Sequence, residues 1–172
     1  MPRLPAAFSS LPDAAQVWMY PAATPLSETA QNAFLERLEA FIETWTSHQQ
    51  EVHGAATILH DRFVVLAGHR ADGQSPSGCA IDDATHAIEA TARDLDVQWV
   101  PSLHVLYRTA DGTVADVPRP QFQAEADAGT VTTDTMVFDP SISTLGALRE
   151  GAFEQPAGAS WHARAFSLPA PA

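Results

Sequence analysis

The 172-residue sequence contains no lysine, and all nine of its basic residues are arginine. A P-loop needs a lysine that reaches the nucleotide phosphates, so the absence excludes a conventional nucleotide-binding P-loop. It excludes Schiff-base chemistry and a lysine general base as well. The arginines stand against 21 acidic residues, giving a net charge of −12. Because an acidic surface repels phosphates and anionic lipids, we expect neither nucleic acid nor a membrane as a partner.

Two explanations fit the acidic balance. A lysine-poor, acidic surface is typical of proteins adapted to high salt, where counterions screen the repulsion between like charges. The same surface also suits a basic protein partner, because complementary charge speeds association. We favour halophilic adaptation and keep the basic partner as the alternative.

Cysteine and long apolar runs are also scarce. The single cysteine, Cys79, cannot form an internal disulfide, so nothing indicates an oxidising compartment. The longest apolar run, residues 63–67, is too short to span a bilayer. Residues 1–13 carry no apolar segment of the kind a signal peptide needs. We therefore expect a cytoplasmic protein, and no motif indicates a cofactor.

The apolar periodicity predicts a mixed α+β fold. Two hairpins and two helices follow a first strand, with the segments 16–20 (strand), about 25–47 (helix), 55–60 and 63–69 (hairpin), about 82–95 (helix), and 103–109 and 113–117 (hairpin). The order strand, helix, strand, strand, helix, strand is that of a ferredoxin-like (βαββαβ) antiparallel sheet with two helices on one face.

The remaining segments predict an N-terminal arm followed by one domain. Residues 1–15 form an N-terminal arm that is on the surface or disordered, and residues 16–172 form a single α+β domain. That domain has a core of about 16–117 and a C-terminal extension of about 118–172. In the extension we predict short helices at 120–128 and 143–150 and an extended segment at 135–138. The aromatic tail 161–166 is expected to dock onto the fold.

Cys79 is the leading candidate for a catalytic residue. The start of a helix lowers a thiol pKa, so a thiol nucleophile with His69 or His53 as its base is one interpretation. Asp82 and Asp83 place negative charge beside the thiol and oppose its ionisation. The alternative, which we favour, is that Cys79 is a small buried residue packing beneath the helix.

Histidines give two further alternatives. His53 and His69 lie at the open end of the first predicted hairpin, which makes them close cross-strand neighbours. Together with Cys79 they could hold zinc, although no local spacing motif fixes the ligands and we expect no metal. His86 and His104 are the other candidate bases for a cysteine–histidine dyad.

Several short motifs resemble those of an uncharacterised bacterial family. They are Val17-Trp18-Met19-Tyr20, Trp45 with His48, Ser77-Gly78-Cys79-Ala80-Ile81-Asp82, Ser160-Trp161-His162, and Phe166. Members of this family have about this length and often carry the automatic label "ABC transporter ATPase", and the resemblance covers roughly residues 5–166. The family has no established activity, so the resemblance implies no catalytic residue. The missing P-loop lysine argues against the label, and His48-Gln49-Gln50 replace a glycine common in the family.

These observations favour a small ligand- or partner-binding, or regulatory, module, and they do not favour an ATPase. Ferredoxin-like sheets commonly bind a ligand or a second subunit on their free face, so we expect a homodimer with a small-molecule or protein partner. The alternative is a thiol-dependent enzyme with Cys79 as the nucleophile.

Overall fold

The computed structural model describes residues 3–172, which form two compact units. The N-terminal unit comprises residues 3–99 and 141–149, and the C-terminal unit comprises residues 100–140 and 150–172. Each unit contains an antiparallel sheet, and the described residues form five α-helices, so the predicted α+β class is confirmed. None of these helices has the length and apolar character needed to cross a membrane.

The N-terminal unit is a four-stranded sheet with two long helices on one face. The strand order is β1-β4-β3-β2, and every neighbouring pair is antiparallel. The elements are β1 (Gln16–Pro21), α1 (Glu28–Glu43), β2 (Thr46–Ser47), β3 (Gln50–Leu59), β4 (Phe63–Arg70), α2 (Gly78–Asp94) and, after the excursion into the other unit, α4 (Leu145–Arg149). The predicted first strand and first hairpin are therefore confirmed.

Strand β4 is the centre of this sheet. Residues 63–67 are fully buried, as the continuous apolar run predicts for a strand covered on both faces. Val64 and Leu66 belong to the core that the sheet shares with the helices, where they join Phe34 and Leu38 of α1 and Ile88 of α2. Burial of these apolar side chains fixes which face of the sheet the helices cover.

A glycine on β4 makes room for a tryptophan between sheet and helix. A methyl group on Gly68 would overlap the ring of Trp45. The Trp45 side chain is 2% exposed, and its Nε1 donates a hydrogen bond to the carbonyl oxygen of Ala80 at 2.9 Å. Because a buried indole N–H needs a partner, this bond ties the end of α1 to the first turn of α2.

The N-terminal arm is anchored to the N-terminal unit. A 3-10 helix, Ala6–Ser10, contacts β3, and the side chain of Phe8 is 1% exposed. The guanidinium of Arg149 donates to the carbonyl oxygens of Phe8 and Leu11 at 2.8 and 3.0 Å and pairs with Asp13. The arm predicted over residues 1–15 is thus fastened where it is described, while residues 1 and 2 lie outside the described residues.

The C-terminal unit has a second four-stranded antiparallel sheet, of order β6-β5-β7-β8. Its elements are β5 (His104–Arg108), β6 (Val114–Pro118), α3 (Arg119–Asp127), β7 (Met136–Phe138), β8 (Glu154–Pro156), a 3-10 helix (Ala157–Ala159) and α5 (His162–Ala165). Helix α3 packs on the sheet through Phe122, which is fully buried. The predicted second hairpin is confirmed, and the aromatic tail docks as expected, with the rings of Phe122 and Phe166 4.9 Å apart.

His162 is buried in this aromatic cluster. Its ring stacks on Trp161 at 3.8 Å between centroids, and its Nδ1 lies 2.7 Å from Oγ of Ser160. Its Nε2 is buried and has no hydrogen-bond partner among residues 3–172. Burial lowers the pKa of His162 to about 4, with Arg119 adding to the shift and Asp139 opposing it.

The ferredoxin-like arrangement is not confirmed. The first strand and first hairpin are ordered as that fold requires, with β1 antiparallel beside β4, but the strand that would complete the sheet, β5, lies in the second sheet. Strand β1 is therefore the edge of its sheet, and β5 pairs instead with β6 and β7 of the C-terminal unit. The single domain predicted over residues 16–172 stays a prediction.

Both long helices begin at a serine cap and not where we predicted. Helix α1 starts at Glu28, because the hydroxyl of Ser27 accepts a hydrogen bond from Ala30 N at 3.2 Å. It covers 28–43 where we predicted about 25–47. Helix α2 starts at Gly78 behind the Ser77 cap, four residues before the predicted start at residue 82.

Candidate functional site

Cys79 lies in the first turn of α2 and is exposed. The prediction that it packs beneath the helix is wrong, because the helix starts earlier and places Ala80 and Ala84, not Cys79, against the core. The thiol therefore lies at the solvent side of a helix start.

The two candidate histidine bases lie on the other side of the sheet. His53 stands directly opposite His69 in the β3–β4 register, which confirms that they are cross-strand neighbours. Their neighbour Val52 points into the helix-side core, so alternation along β3 turns His53 and His69 to the face opposite α2. The structure therefore separates both histidines from Cys79, and the catalytic role of the three residues stays a prediction.

The other candidate bases are also distant or engaged. His86 follows Cys79 by two helical turns, about 10 Å along the axis, which is beyond hydrogen-bond reach. His104 belongs to the C-terminal unit, and its Nδ1 lies 2.7 Å from Oδ2 of Asp116. Within residues 3–172, no group of three or more His, Cys, Asp and Glu side chains could hold a metal ion.

A cleft of about 380 Å³ lies within the C-terminal unit. One wall is the end of β5 and the turn after it, residues 107–110, and the other is the loop that leads into β7, residues 130–136. The ring of Tyr107 and the side chains of Ala110 and Met136 give it apolar surface, and four threonines and Asp134 give it polar surface. This mixture of apolar wall and few polar groups is typical of small-molecule sites.

The loop wall is held in place by backbone hydrogen bonds. Thr130 N donates to Glu125 O at 2.9 Å, which joins the loop to the end of α3. Thr133 N donates to Pro169 O at 2.9 Å, and Thr133 O accepts from Gly158 N at 2.8 Å. These bonds reach three separate segments of the unit, so the cleft is formed before any ligand enters.

Two threonine hydroxyls of the loop keep a hydrogen to donate. Thr135 Oγ1 accepts a hydrogen bond from Thr132 N at 2.9 Å, and Thr132 Oγ1 accepts from Asp134 N at 3.3 Å. In each case the accepted bond fixes the position of the hydroxyl oxygen. The hydroxyl hydrogen has no acceptor among residues 3–172, so it can be donated to a ligand. Asp134 is exposed, and its carboxylate has no hydrogen-bond or ion-pair partner among residues 3–172.

The opposite wall carries charges that are already satisfied. The Tyr107 hydroxyl donates to Oε2 of Glu125 at 2.6 Å, and burial together with this carboxylate raises the pKa of Tyr107 to about 12. The Arg108 guanidinium pairs with Glu154 and also donates to Gly112 O at 2.8 Å. The positive charge at the cleft is therefore neutralised within the protein.

An acidic turn adjoins the cleft. Asp111 accepts hydrogen bonds from the hydroxyls of Thr109 and Thr113 and from the Thr113 backbone N–H. These bonds lower the pKa of Asp111, so this carboxylate stays ionised at neutral pH. Thr109, which donates to Asp111, also lines the cleft, so the charged turn adjoins the lining.

None of these cleft residues was predicted as a site from the sequence. A signal was present, since the segment 130–135 reads Thr-Val-Thr-Thr-Asp-Thr directly after Gly129. Four threonines and an aspartate in six residues concentrate hydroxyl donors in one loop.

Comparison with protein-family models, with curated proteins and with solved structures finds no match. The resemblance to the bacterial family stays a prediction.

Proposed function

We propose that the protein is a small-molecule-binding module and that the threonine-lined cleft of the C-terminal unit is its binding site. The observation that carries the proposal is a preformed cleft in which oriented hydroxyl donors and an unpaired carboxylate, Asp134, face an apolar wall. Such a combination binds a ligand by a few directed hydrogen bonds over an apolar contact. Binding with no paired nucleophile and base at the cleft suits a sensing or carrying role.

The charges favour a neutral or cationic ligand rich in O–H or N–H groups. Asp134 and Asp111 offer acceptors to such groups, and the threonine hydroxyls offer donors to their oxygen atoms. An anionic ligand would meet two carboxylates, and Arg108 is already paired with Glu154. The net charge of −12 adds to that repulsion. The same reasoning disfavours ATP and agrees with the missing P-loop lysine.

The proposal is tested by nuclear magnetic resonance titration of the isotope-labelled chain with two matched pairs of probes. D-glucose and putrescine are the neutral and cationic probes, and glucose 6-phosphate and succinate are their anionic counterparts. We expect shifts of residues 107–110 and 130–136 with the first pair only. Asp134→Asn should weaken putrescine binding about tenfold, since a charged hydrogen bond becomes a neutral one.

Asp83→Asn is the matched control, because Asp83 is an exposed aspartate on α2 in the other unit. It should leave putrescine binding unchanged. Equal binding of glucose and glucose 6-phosphate would contradict the proposed ligand class. No shift with any of the four probes at millimolar concentration would contradict the site.

The alternative function, a thiol-dependent enzyme, is favoured by one observation, the exposure of Cys79. Cys79→Ser distinguishes the two functions. It should leave binding in the cleft unchanged, because Cys79 belongs to the other unit, whereas a thiol enzyme would lose its activity.

A further inference from the structure

The backbone groups of β3 alternate between its partner strand and its outer edge. Ala71 N donates to Glu51 O at 3.1 Å, so the odd-numbered residues of β3 direct their N–H and C=O groups toward β4. The even-numbered residues point the other way, and Val52 N donates to Trp45 O at 3.0 Å, beside β2. Strand β2 pairs only with the start of β3 and goes no further along it.

Beyond that point the outer edge of β3 is open. The backbone N–H and C=O groups of Gly54, Ala56 and Ile58 have no hydrogen-bond partner among residues 3–172. The opposite edge of the sheet differs, because β1 is bridged at one end by Thr144 and at the other by Trp99. The unpaired edge of this sheet is thus concentrated on β3.

This edge lacks the features that usually prevent strands from pairing. Natural edge strands carry lysine, proline, a bulge or an inward charge, each of which stops another strand from adding to the sheet. Residues 52–59 contain no proline and no charged side chain. Their register with β4 is continuous, without a bulge. The edge is therefore competent to accept another strand.

An apolar flank of α1 runs beside the open edge. Arg37 of α1 donates to Asp94 of α2 at 2.6 Å, which turns one flank of α1 toward α2. Leu35 and Ile42 lie on the opposite flank, and Ile42 lies directly over Gly54. Both side chains are only partly buried, as is Ile58 on the strand itself. A strand added at this edge would cover all three.

We propose that β3 of a second copy of this chain pairs antiparallel with this edge, so that one sheet runs through a homodimer. The chain carries a net charge of −12, yet residues 52–59 are neutral, so the edge selects a neutral strand rather than a basic one. The same β3 meets that requirement. A two-fold axis across the edge keeps the even-numbered side chains of both copies on the helix face.

The side chains fix the register of the pairing. With the axis at Ala56, each Gly54 lies opposite Ile58 of the second copy, and the two Ala56 residues face each other. Gly54 thus leaves room for the larger side chain of Ile58 on the helix side. The pairs at Gly54, Ala56 and Ile58 then exchange the backbone hydrogen bonds that are unpaired in one copy. Acidic residues on α1 approach their equivalents, so the dimer strengthens with salt.

Sedimentation equilibrium of the full chain in about 0.5 M NaCl tests the proposal. We expect a reversible dimer that Ala56→Pro weakens at least about tenfold, because proline removes an outward N–H without touching the β3–β4 ladder. Leu35→Glu should weaken the dimer similarly by placing a charge beside the axis. Leu103→Glu is the matched control, since Leu103 is 68% exposed and lies in the other unit.

Cross-linking tests the register. In a Cys79→Ser background, Ala56→Cys should form a disulfide between copies under mild oxidation, since facing residues at a hydrogen-bonded pair are about 5.5 Å apart. Ile58→Cys should not, because the two Ile58 residues are offset by four positions. A monomer at all concentrations, a dimer that survives both Ala56→Pro and Leu35→Glu, or cross-linking at residue 58 in place of 56 would each overturn the proposal. Should Ala56→Pro fail to fold, Leu35→Glu and the cross-linking decide.

Discussion

His162 is a histidine that the fold keeps neutral. Its ring stacks on Trp161 and lies 6.2 Å from the ring of Phe166. Because His162 is 1% exposed, a proton on its ring would carry charge into an apolar cluster. The hydrogen bond between Nδ1 and Ser160 Oγ orients the ring while Nε2 stays without a partner. The residue therefore links the stability of the C-terminal unit to pH.

We predict that His162 destabilises the fold as the medium becomes acidic. Its pKa is about 4 in the folded chain and 6.5 when unfolded, so the unfolded state binds the proton first as the pH falls. Stability from this source is complete above pH 6.5 and is lost as the pH falls toward 4. Urea unfolding at pH 7.5 and pH 5.5 should show a loss of about 1 kcal/mol from His162.

The loss of stability between pH 7.5 and pH 5.5 that His162 causes should vanish in His162→Phe, which keeps an aromatic ring in the cluster. The control His86→Asn removes an exposed histidine on α2 and should leave the pH dependence unchanged. A ring proton of His162 that titrates near pH 6.5 in the folded chain would contradict the prediction.

At the residue scale, the sequence identified Cys79 as unusual but placed it wrongly. The apolar stripe Ile81, Ala84 and Ile88 suggested a helix start at Asp82, and an aspartate is an ordinary cap. Ser77 is an equally good cap, and its hydroxyl accepts a hydrogen bond from Ala80 N. The helix starts there because that start places Ala80 against the core. Local capping preferences alone could not choose between two good caps.

At the element scale, the turn between β2 and β3 holds two residues in a left-handed backbone conformation. His48 and Gln49 have φ of 51° and 64°, and they connect Ser47 to Gln50 in the manner of a type I′ hairpin turn. Such turns favour asparagine followed by glycine, because a side chain crowds the backbone at positive φ.

We predict that Gln49→Gly stabilises the fold by about 0.5–1 kcal/mol, since glycine relieves the left-handed strain at a smaller entropic cost. Gln50→Gly is the matched control: the next glutamine lies in β3 without a positive φ, and glycine there should destabilise the strand. Chemical denaturation of the three chains gives the comparison. Stabilisation by both variants, or by neither, would contradict the turn assignment.

Most element positions followed from the sequence, whereas the sheet topology did not. The second hairpin was predicted at 103–109 and 113–117 and is observed at 104–108 and 114–118, since alternation and the Asp111-Gly112 turn specify it locally. A strand pattern states which face is buried but not which strands lie beside it. The assignment of β5 to a second sheet depends on its pairing with β7, from a segment that carried only a weak extended pattern.

At the scale of the whole molecule, repulsion between acidic groups dominates the charge balance. Among residues 3–172, the arginines Arg37, Arg70, Arg108 and Arg149 each pair with a carboxylate. The excess of 12 negative charges at neutral pH remains after every arginine is matched with one acid. Salt screens this excess more than it weakens the short pairs.

We predict that the melting temperature at pH 7.5 rises strongly between about 0.05 M and about 2 M NaCl. The control is the same comparison near the isoelectric point, at about pH 4.7, where the net charge disappears and the salt effect should shrink. A flat response at pH 7.5 would contradict salt adaptation and favour a basic partner. Equal salt effects at the two pH values would contradict the charge mechanism.

The cleft is a property of the whole C-terminal unit, which is why the sequence did not reveal it. Tyr107 and Thr135 lie on opposite walls, and the loop that carries Thr135 is fixed by Pro169 and Gly158, far along the chain. The threonine-rich segment was visible, but its hydroxyls become a site only when the turn after β5 lies across from them. Long-range placement of that kind has no local pattern.

The interleaving of the two units has a consequence for synthesis on the ribosome. The chain leaves the N-terminal unit after residue 99 and returns to it for residues 141–149, where Arg149 fastens the arm that was made first. The contacts between the arm and Arg149 therefore form only after residues 100–140 have been synthesised. A nascent chain stopped at residue 99 lacks the hydrogen bonds that Arg149 donates to the carbonyl oxygens of Phe8 and Leu11. We therefore expect the first sheet to form before the arm is fastened, which requires residue 149 to leave the ribosome.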